Sequence, residues 1–220
     1  VRVLSYDAKR RLELGDRAGA IERASAIYRV AGHSSNDGVL ISSLVGIAIA
    51  SLGNGTVNAI LDAGPISQKE ATALLDAIDG LQAYDALGVR KSILGEKEIF
   101  LNWFEEFMLD PSKNIFQKMS ELNSLVGAEF PAMRMVALGR EGIINDVARA
   151  KTFYDEALDV WDASDAVERL KELEGRVGTG DFGLVAKVMA PSLTRSRESE
   201  SRVMTQLAET RARVLASIKD

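Results

Sequence analysis

The run Gly178-Thr179-Gly180-Asp181-Phe182-Gly183 carries the residue types best suited to chemistry. Its glycines fit the G-x-G-x-x-G spacing that lets a backbone approach a pyrophosphate, and it contains a D-F-G triplet. A dinucleotide fingerprint needs a strand before the glycines and an acidic residue about 20 positions later. Here a charged helical segment, DAVERLKELEG, comes before them. A kinase needs an H-R-D loop and a strand lysine as well, and neither is present. The run therefore reads as a loop between helices. A second cluster, Glu96, Glu98, Glu105 and Glu106, flanks an aromatic helix. Glu98 and Glu105 are spaced to share a helix face and would suit a carboxylate-dependent enzyme or a two-metal site. Ferritin-like sites use Glu-x-x-His on two helices, and this chain has a single histidine. The glutamates read instead as the solvated face of an amphipathic helix.

His33 follows the second helix in Ala31-Gly32-His33-Ser34, where an imidazolium would complement the negative end of a helix dipole. As a catalytic base it would need a nucleophile and an orienting acid, and capping accounts for Ser34 and Ser35. Phe100, Trp103, Phe104 and Phe107 recur at helical spacing, with Trp161 as a separate anchor. Core packing explains them, and a cavity beside Trp103 and Phe107 would turn them into the lining of an apolar-ligand site. Trp103, Phe107, Trp161 and His33 are thus the candidate ligand or partner contacts. No catalytic, metal or cofactor-binding residue is assigned, and no cofactor is expected. Asn54-Gly55-Thr56 matches a glycosylation sequon within a glycine-rich turn.

Composition narrows the function classes further. The 220 residues are 46% hydrophobic, only 6% aromatic and 27% charged, which is helical-protein composition and not that of a disordered chain. A net charge of -5 argues against a non-specific nucleic-acid or anionic-membrane binder. Arg195, Arg197, Arg202, Arg211 and Arg213 are interrupted by Glu198, Glu200 and Glu209, as on a solvated or partner-facing helix. The absence of cysteine removes disulfides, thiolate metal sites and a cysteine nucleophile. The most apolar stretch, residues 39–52, is shorter than the roughly 20 residues that span a bilayer and is expected to be a buried core helix. The chain begins at Val1 without an initiator methionine, so a segment upstream of it is expected, and any signal peptide or membrane anchor would lie there, outside this sequence.

Periodicity supplies the elements. Residues 4–32 read as two amphipathic helices broken at Gly15-Asp16, with Asp16 as N-cap and Ala20, Ile21, Ala24, Ile27, Tyr28 and Ala31 on one face. Residues 34–37 are placed to cap a helix over 39–52, Gly53-Asn54-Gly55 to break the chain, and 57–63 to form a short helix. Ser67 and Glu70 match a capping box, with Gly80 at the exit of the helix they open. A long helical segment from about residue 85 should stop at Asp110-Pro111. Helices over 115–126, 145–161, 163–173, 184–189 and 193–218 follow, with loops at 127–131 and 175–183. No run alternates as a strand does. The predicted fold is all-α, an irregular bundle of about eight to ten helices in hairpins, without a sheet. It forms one domain over 1–220, divisible into sub-lobes at 1–110 and 111–220.

The opening hairpin resembles a tetratricopeptide-type repeat: Leu4 and Ala8 on the first helix, Gly15-Asp16 at the turn, Ala20-Ile21 on the second. Arg11 stands where a large apolar residue is usual, Gly32 where proline commonly closes the unit, and no second copy follows at about 34 residues. In overall layout the chain is similar to a group of uncharacterised helix-rich bacterial proteins that often carry an N-terminal membrane segment. The resemblance is carried by GDRAGAIERASAIYRVAGH, LGEKEIF and MAPSLTRSRESESRVMTQLAETRA. It implies an anchored, extracytoplasmic helical domain. The expected role is non-catalytic, a helical interaction or scaffolding domain for a protein partner, with an apolar-ligand binder or a Glu98/Glu105 enzyme as alternatives.

Overall fold

A computed structural model describes residues 1–83, 85–126 and 132–219. Among them the chain is all-α, as the periodicity predicts, and its one bridge, between Ile66 and Ile218, is isolated. In order the helices are α1 (Arg2–Glu13), α2 (Arg17–Ser34), α3 (Leu40–Asp62), α4 (Gln68–Asp79), α5 (Val89–Gly95), α6 (Leu101–Leu109), α7 (Ile115–Val126), α8 (Ala132–Val160), α9 (Ala166–Thr179), α10 (Gly183–Met189) and α11 (Leu193–Ala216). A π-helical turn, Glu96–Phe100, joins α5 to α6 in one run. The chain forms two compact units, Val1–Ser92 with Glu198–Asp220, and Ile93–Arg197.

The first unit is built on the predicted hairpin. Gly15 takes φ +79°, and the Asp16 side chain accepts a hydrogen bond from Gly19 N at 2.9 Å, satisfying an orphan donor of α2. Asp7 sits between Arg11 (3.0 Å) and Arg23 (2.8 Å), whose hydrogen bonds hold its carboxyl below the usual carboxylate range. Ala20, Ala24, Ile27, Tyr28 and Ala31 are buried as the stripe requires. The capping expected of residues 34–37 is corrected. Ser34 ends α2, and Ser34, Ser35 and Asn36 bond back to the carbonyls of Val30, Ala31 and Gly32. Val39 stands at the N-cap of α3 without a side-chain cap.

The expected break at Gly53-Asn54-Gly55 does not occur. All three lie inside α3, a single helix of 23 residues rather than 14, uncharged from Leu40 to Leu61. The cause is Tyr28: a Cβ on Gly53 would lie 2.7 Å from its ring, and its hydroxyl donates to Asn54 Oδ1 at 2.7 Å. Thr56 completes the polar seam, meeting Ser5 Oγ at 2.9 Å. Glycine here supplies space for an aromatic ring and not a turn. α3 is therefore long and apolar enough to cross a membrane by composition, with half of that apolar window buried inside the protein. The predicted capping box holds: Ser67 N donates to Glu70 at 2.8 Å, Glu70 N to Ser67 Oγ at 3.4 Å. Arg17 donates to the Pro65 carbonyl and Ser25 to that of Ala73, the same sequence offset, so α2 and α4 run parallel.

The second unit packs large aromatics. Phe153 meets Tyr154 (5.3 Å) and Phe182 (5.5 Å) edge-on, and Arg176 lies 4.5 Å over the Phe182 ring. Burial pushes the Tyr154 hydroxyl above its ordinary pKa. Asp110 turns extended before Pro111 and ends α6, as predicted. The helix expected over 145–161 starts earlier, just after Gly139, whose non-helical backbone (φ +65°) kinks α8 and sets that helix off from the stretch before it. The expected loop over 175–183 shrinks to Gly180–Phe182, because α9 continues through Gly175 and Gly178 to Thr179. The loop predicted over 127–131 lies outside the described residues.

Candidate functional site

In the first unit a groove of about 750 Å³ runs between α2 and α4. Ile21 and Ser25 of α2 and Ala73 and Ala77 of α4 form its floor; Glu22, Arg29, Lys69 and Asp76 stand on its rim. The sequence builds it simply. Two parallel helices meet through Ser25 and Ala73 (3.3 Å), and small residues beside that contact leave a trough that a Leu or Met would fill. The rim charges are exposed, while Ile21 and Ser25 are buried. Glu70, at one end, is engaged by Ser67, whose backbone N–H lowers its pKa. This groove is not among the sites the sequence suggests. Its only trace is the pair Ala73 and Ala77, alanines at i, i+4 beside the apolar stripe of α4.

The glycine run sits in the second unit and is tied down internally. Gly178 is helical; Gly180 takes φ +95° and closes α9, its N–H donating to Arg176 O and Val177 O. Arg149 donates to the Gly180 (2.5 Å) and Asp181 (2.8 Å) carbonyls, and Asp181 accepts from Thr179 Oγ1 at 2.9 Å. Asp146, from α8, accepts from Leu184 N (2.9 Å) and Val185 N (2.7 Å) with its side chain 7% exposed. The helix N-terminus that a phosphate would need thus already holds a carboxylate. Gly183, at φ +87°, lacks a Cβ that would overlap Asp146 Oδ1.

The other candidates are scattered. His33 lies exposed in the last turn of α2. Trp103 is 37% exposed and stacked between Phe100 (5.5 Å) and Phe107 (5.3 Å), with Lys113 Nζ 4.7 Å over the Phe107 ring. These rings cover one another along a helix surface. Trp161 is 2% exposed, with Arg197 5.8 Å over its ring. Glu98 is exposed in the π turn, 3.2 Å from Lys97, which also pairs with Asp155 at 2.6 Å, whereas Glu105 is half-buried in α6. The π turn between them shifts the helix phase that a spacing of seven assumed. Among the described residues no group of three or more Asp, Glu or His is placed to hold a metal ion.

Comparison with known proteins adds no relative: the chain matches no protein family, no curated protein and no solved structure.

Proposed function

We propose that the chain is a non-catalytic helical interaction domain whose α2–α4 groove receives an amphipathic helix of a protein partner. The groove carries this reading. Its floor of alanine and serine admits the close approach of a helix backbone, and a rim of both charge signs suits a partner helix with a narrow small-residue face between charged flanks. A rim of exposed charges favours specificity and encounter rate over raw affinity. A small apolar molecule is the second reading, because the volume falls within the roughly 300–1,000 Å³ of ligand pockets.

The groove can be filled without touching the core, since Ala77 on its floor is only half-buried. Gel filtration of extracts from the native cell should show the wild-type protein in a complex heavier than a dimer of the 23.8 kDa chain, and Ala77→Arg should lose that complex. Equal elution of both, with a bound small molecule displaced by Ala77→Arg in native mass spectrometry, would replace the protein partner with the apolar ligand.

A further inference from the structure

α3 has a second face with a different pattern. Ile41, Val45, Ala48, Leu52, Gly55 and Ala59 recur at alternating intervals of four and three, the a/d seam of a coiled coil. The seam faces outward. Ile41 is 66% and Val45 46% exposed, Ala48 and Gly55 are exposed, and Leu52 and Ala59 are half-buried. A single-helix seam of this regularity is the complement of another helix, with the interlocking of side chains that 3.5-residue spacing permits.

The order of sizes along the seam identifies that helix. The seam reads Ile, Val, Ala, Leu, Gly, Ala, and its six positions are symmetric about position 50, so that each large residue has a small one at the mirrored position. In an antiparallel pair each a position faces a d position of the other helix. Two copies of α3 so paired bring Ile41 against Ala59, Val45 against Gly55 and Ala48 against Leu52. Each layer sets a larger side chain against a smaller one. A Cβ at Gly55 would meet nothing within 4 Å, so there is open space for the partner's valine. A parallel pair would stack Ile41 on Ile41 at one end and leave glycine against glycine at the other. Antiparallel pairing also places each positive helix terminus beside a negative one. The flanking positions Ser42, Leu44, Ile49, Ser51, Thr56 and Asn58 are uncharged; Thr56 is bonded to Ser5 of α1, and Ser51 and Asn58 to Gln206 and Arg213 of α11, so the seam lies between those two helices.

We infer that this protein self-associates through α3 as an antiparallel two-fold dimer, with the isologous contact that a C2 axis requires. The seam spans about 27 Å at 1.5 Å per residue. The α2–α4 groove is a separate surface of the same unit, and the dimer does not depend on the groove's function.

Sedimentation equilibrium of the full chain from about 1 to 200 µM should give a monomer–dimer equilibrium, and Val45→Glu should weaken it by at least about tenfold. Orientation is read separately, since the chain has no cysteine of its own. A mixture of Ile41→Cys and Ala59→Cys chains should form the mixed disulfide on oxidation, while Ile41→Cys alone should not cross-link. A monomer at every concentration, a dimer indifferent to Val45→Glu, or efficient Ile41→Cys self-cross-linking overturns the inference. So does flotation of the wild-type monomer with phosphatidylcholine vesicles that Val45→Glu abolishes, because the seam would then face lipid.

Discussion

Two glycine-bearing regions, residues 53–55 in the first unit and 178–183 in the second, look alike as sequence and behave oppositely. The first reads as a turn and is helix throughout, its glycine yielding to the Tyr28 ring. The second reads as a phosphate-binding loop and is a helix stop whose anion site is filled by Asp146. The difference is set by residues far away in sequence, Tyr28 in one case and Asp146 in the other. In the first region the outcome is a long helix, uncharged from Leu40 to Leu61, that leaves Ile41 and Val45 exposed. In the second, every polar feature that suggested chemistry is used within the fold.

The sharpest way to break this comparison is Asp146→Ala. It leaves the buried Val185 N–H and the part-buried Leu184 N–H without their acceptor, and should cost about 2–4 kcal/mol in urea unfolding. Gly183→Ala should also destabilise, and its cost should shrink in the Asp146→Ala background, where the overlap with Oδ1 is gone and only the strain at φ +87° remains. Additive costs would mean that Gly183 is there for its backbone alone. Gly53→Val comes next. Its side chain must displace the buried Tyr28 ring, an overpacking cost of about 2–3 kcal/mol by the same measurement.

Tyr28→Phe, which removes the hydroxyl bonded to Asn54, should cost about 1–2 kcal/mol at pH 7. Its pH dependence follows from burial, which raises the Tyr28 pKa above its ordinary value near 10. The unfolded chain ionises first, so the stability tied to Tyr28 is complete below pH 10 and falls as pH rises beyond it. The gap between wild type and Tyr28→Phe should therefore narrow above pH 10, by up to about 1.4 kcal/mol per pH unit. A constant gap from pH 8 to 11 would show that the hydroxyl is hydrated in the folded protein. The smallest effect belongs to Gly178→Ala. Gly178 is helical with open space at its Cβ position, so thermal unfolding should show a gain of about 0.5–1 kcal/mol. A loss would return the glycine to a turn.

Much of the fold was legible because it is written locally. The Asp16 cap, the Ser67/Glu70 box, the Asp110-Pro111 stop and the helical stripes each depend on neighbours within a turn or two. What was not legible depends on contacts across the sequence. Gly53-Asn54-Gly55 could not be told from a break without knowing that Tyr28 packs on it, and α3 reads too short for that reason. Ser34 to Asn36 offer the same side chains for ending one helix or starting another, and the end of α2 claims them. The groove left almost no trace, because a trough is made by what two helices lack. Alanines at 73 and 77 signal nothing until α2 is beside them.

Site-specific photo-cross-linking bears most directly on the interaction role. A benzophenone amino acid at Ala73, on the groove floor, would be used in the native cell, with the same residue at exposed Lys171 of the second unit as control. One discrete protein adduct is expected from position 73, lost when Ala77→Arg is added and absent from position 171. No adduct at position 73, or the same adducts from both positions, would contradict it.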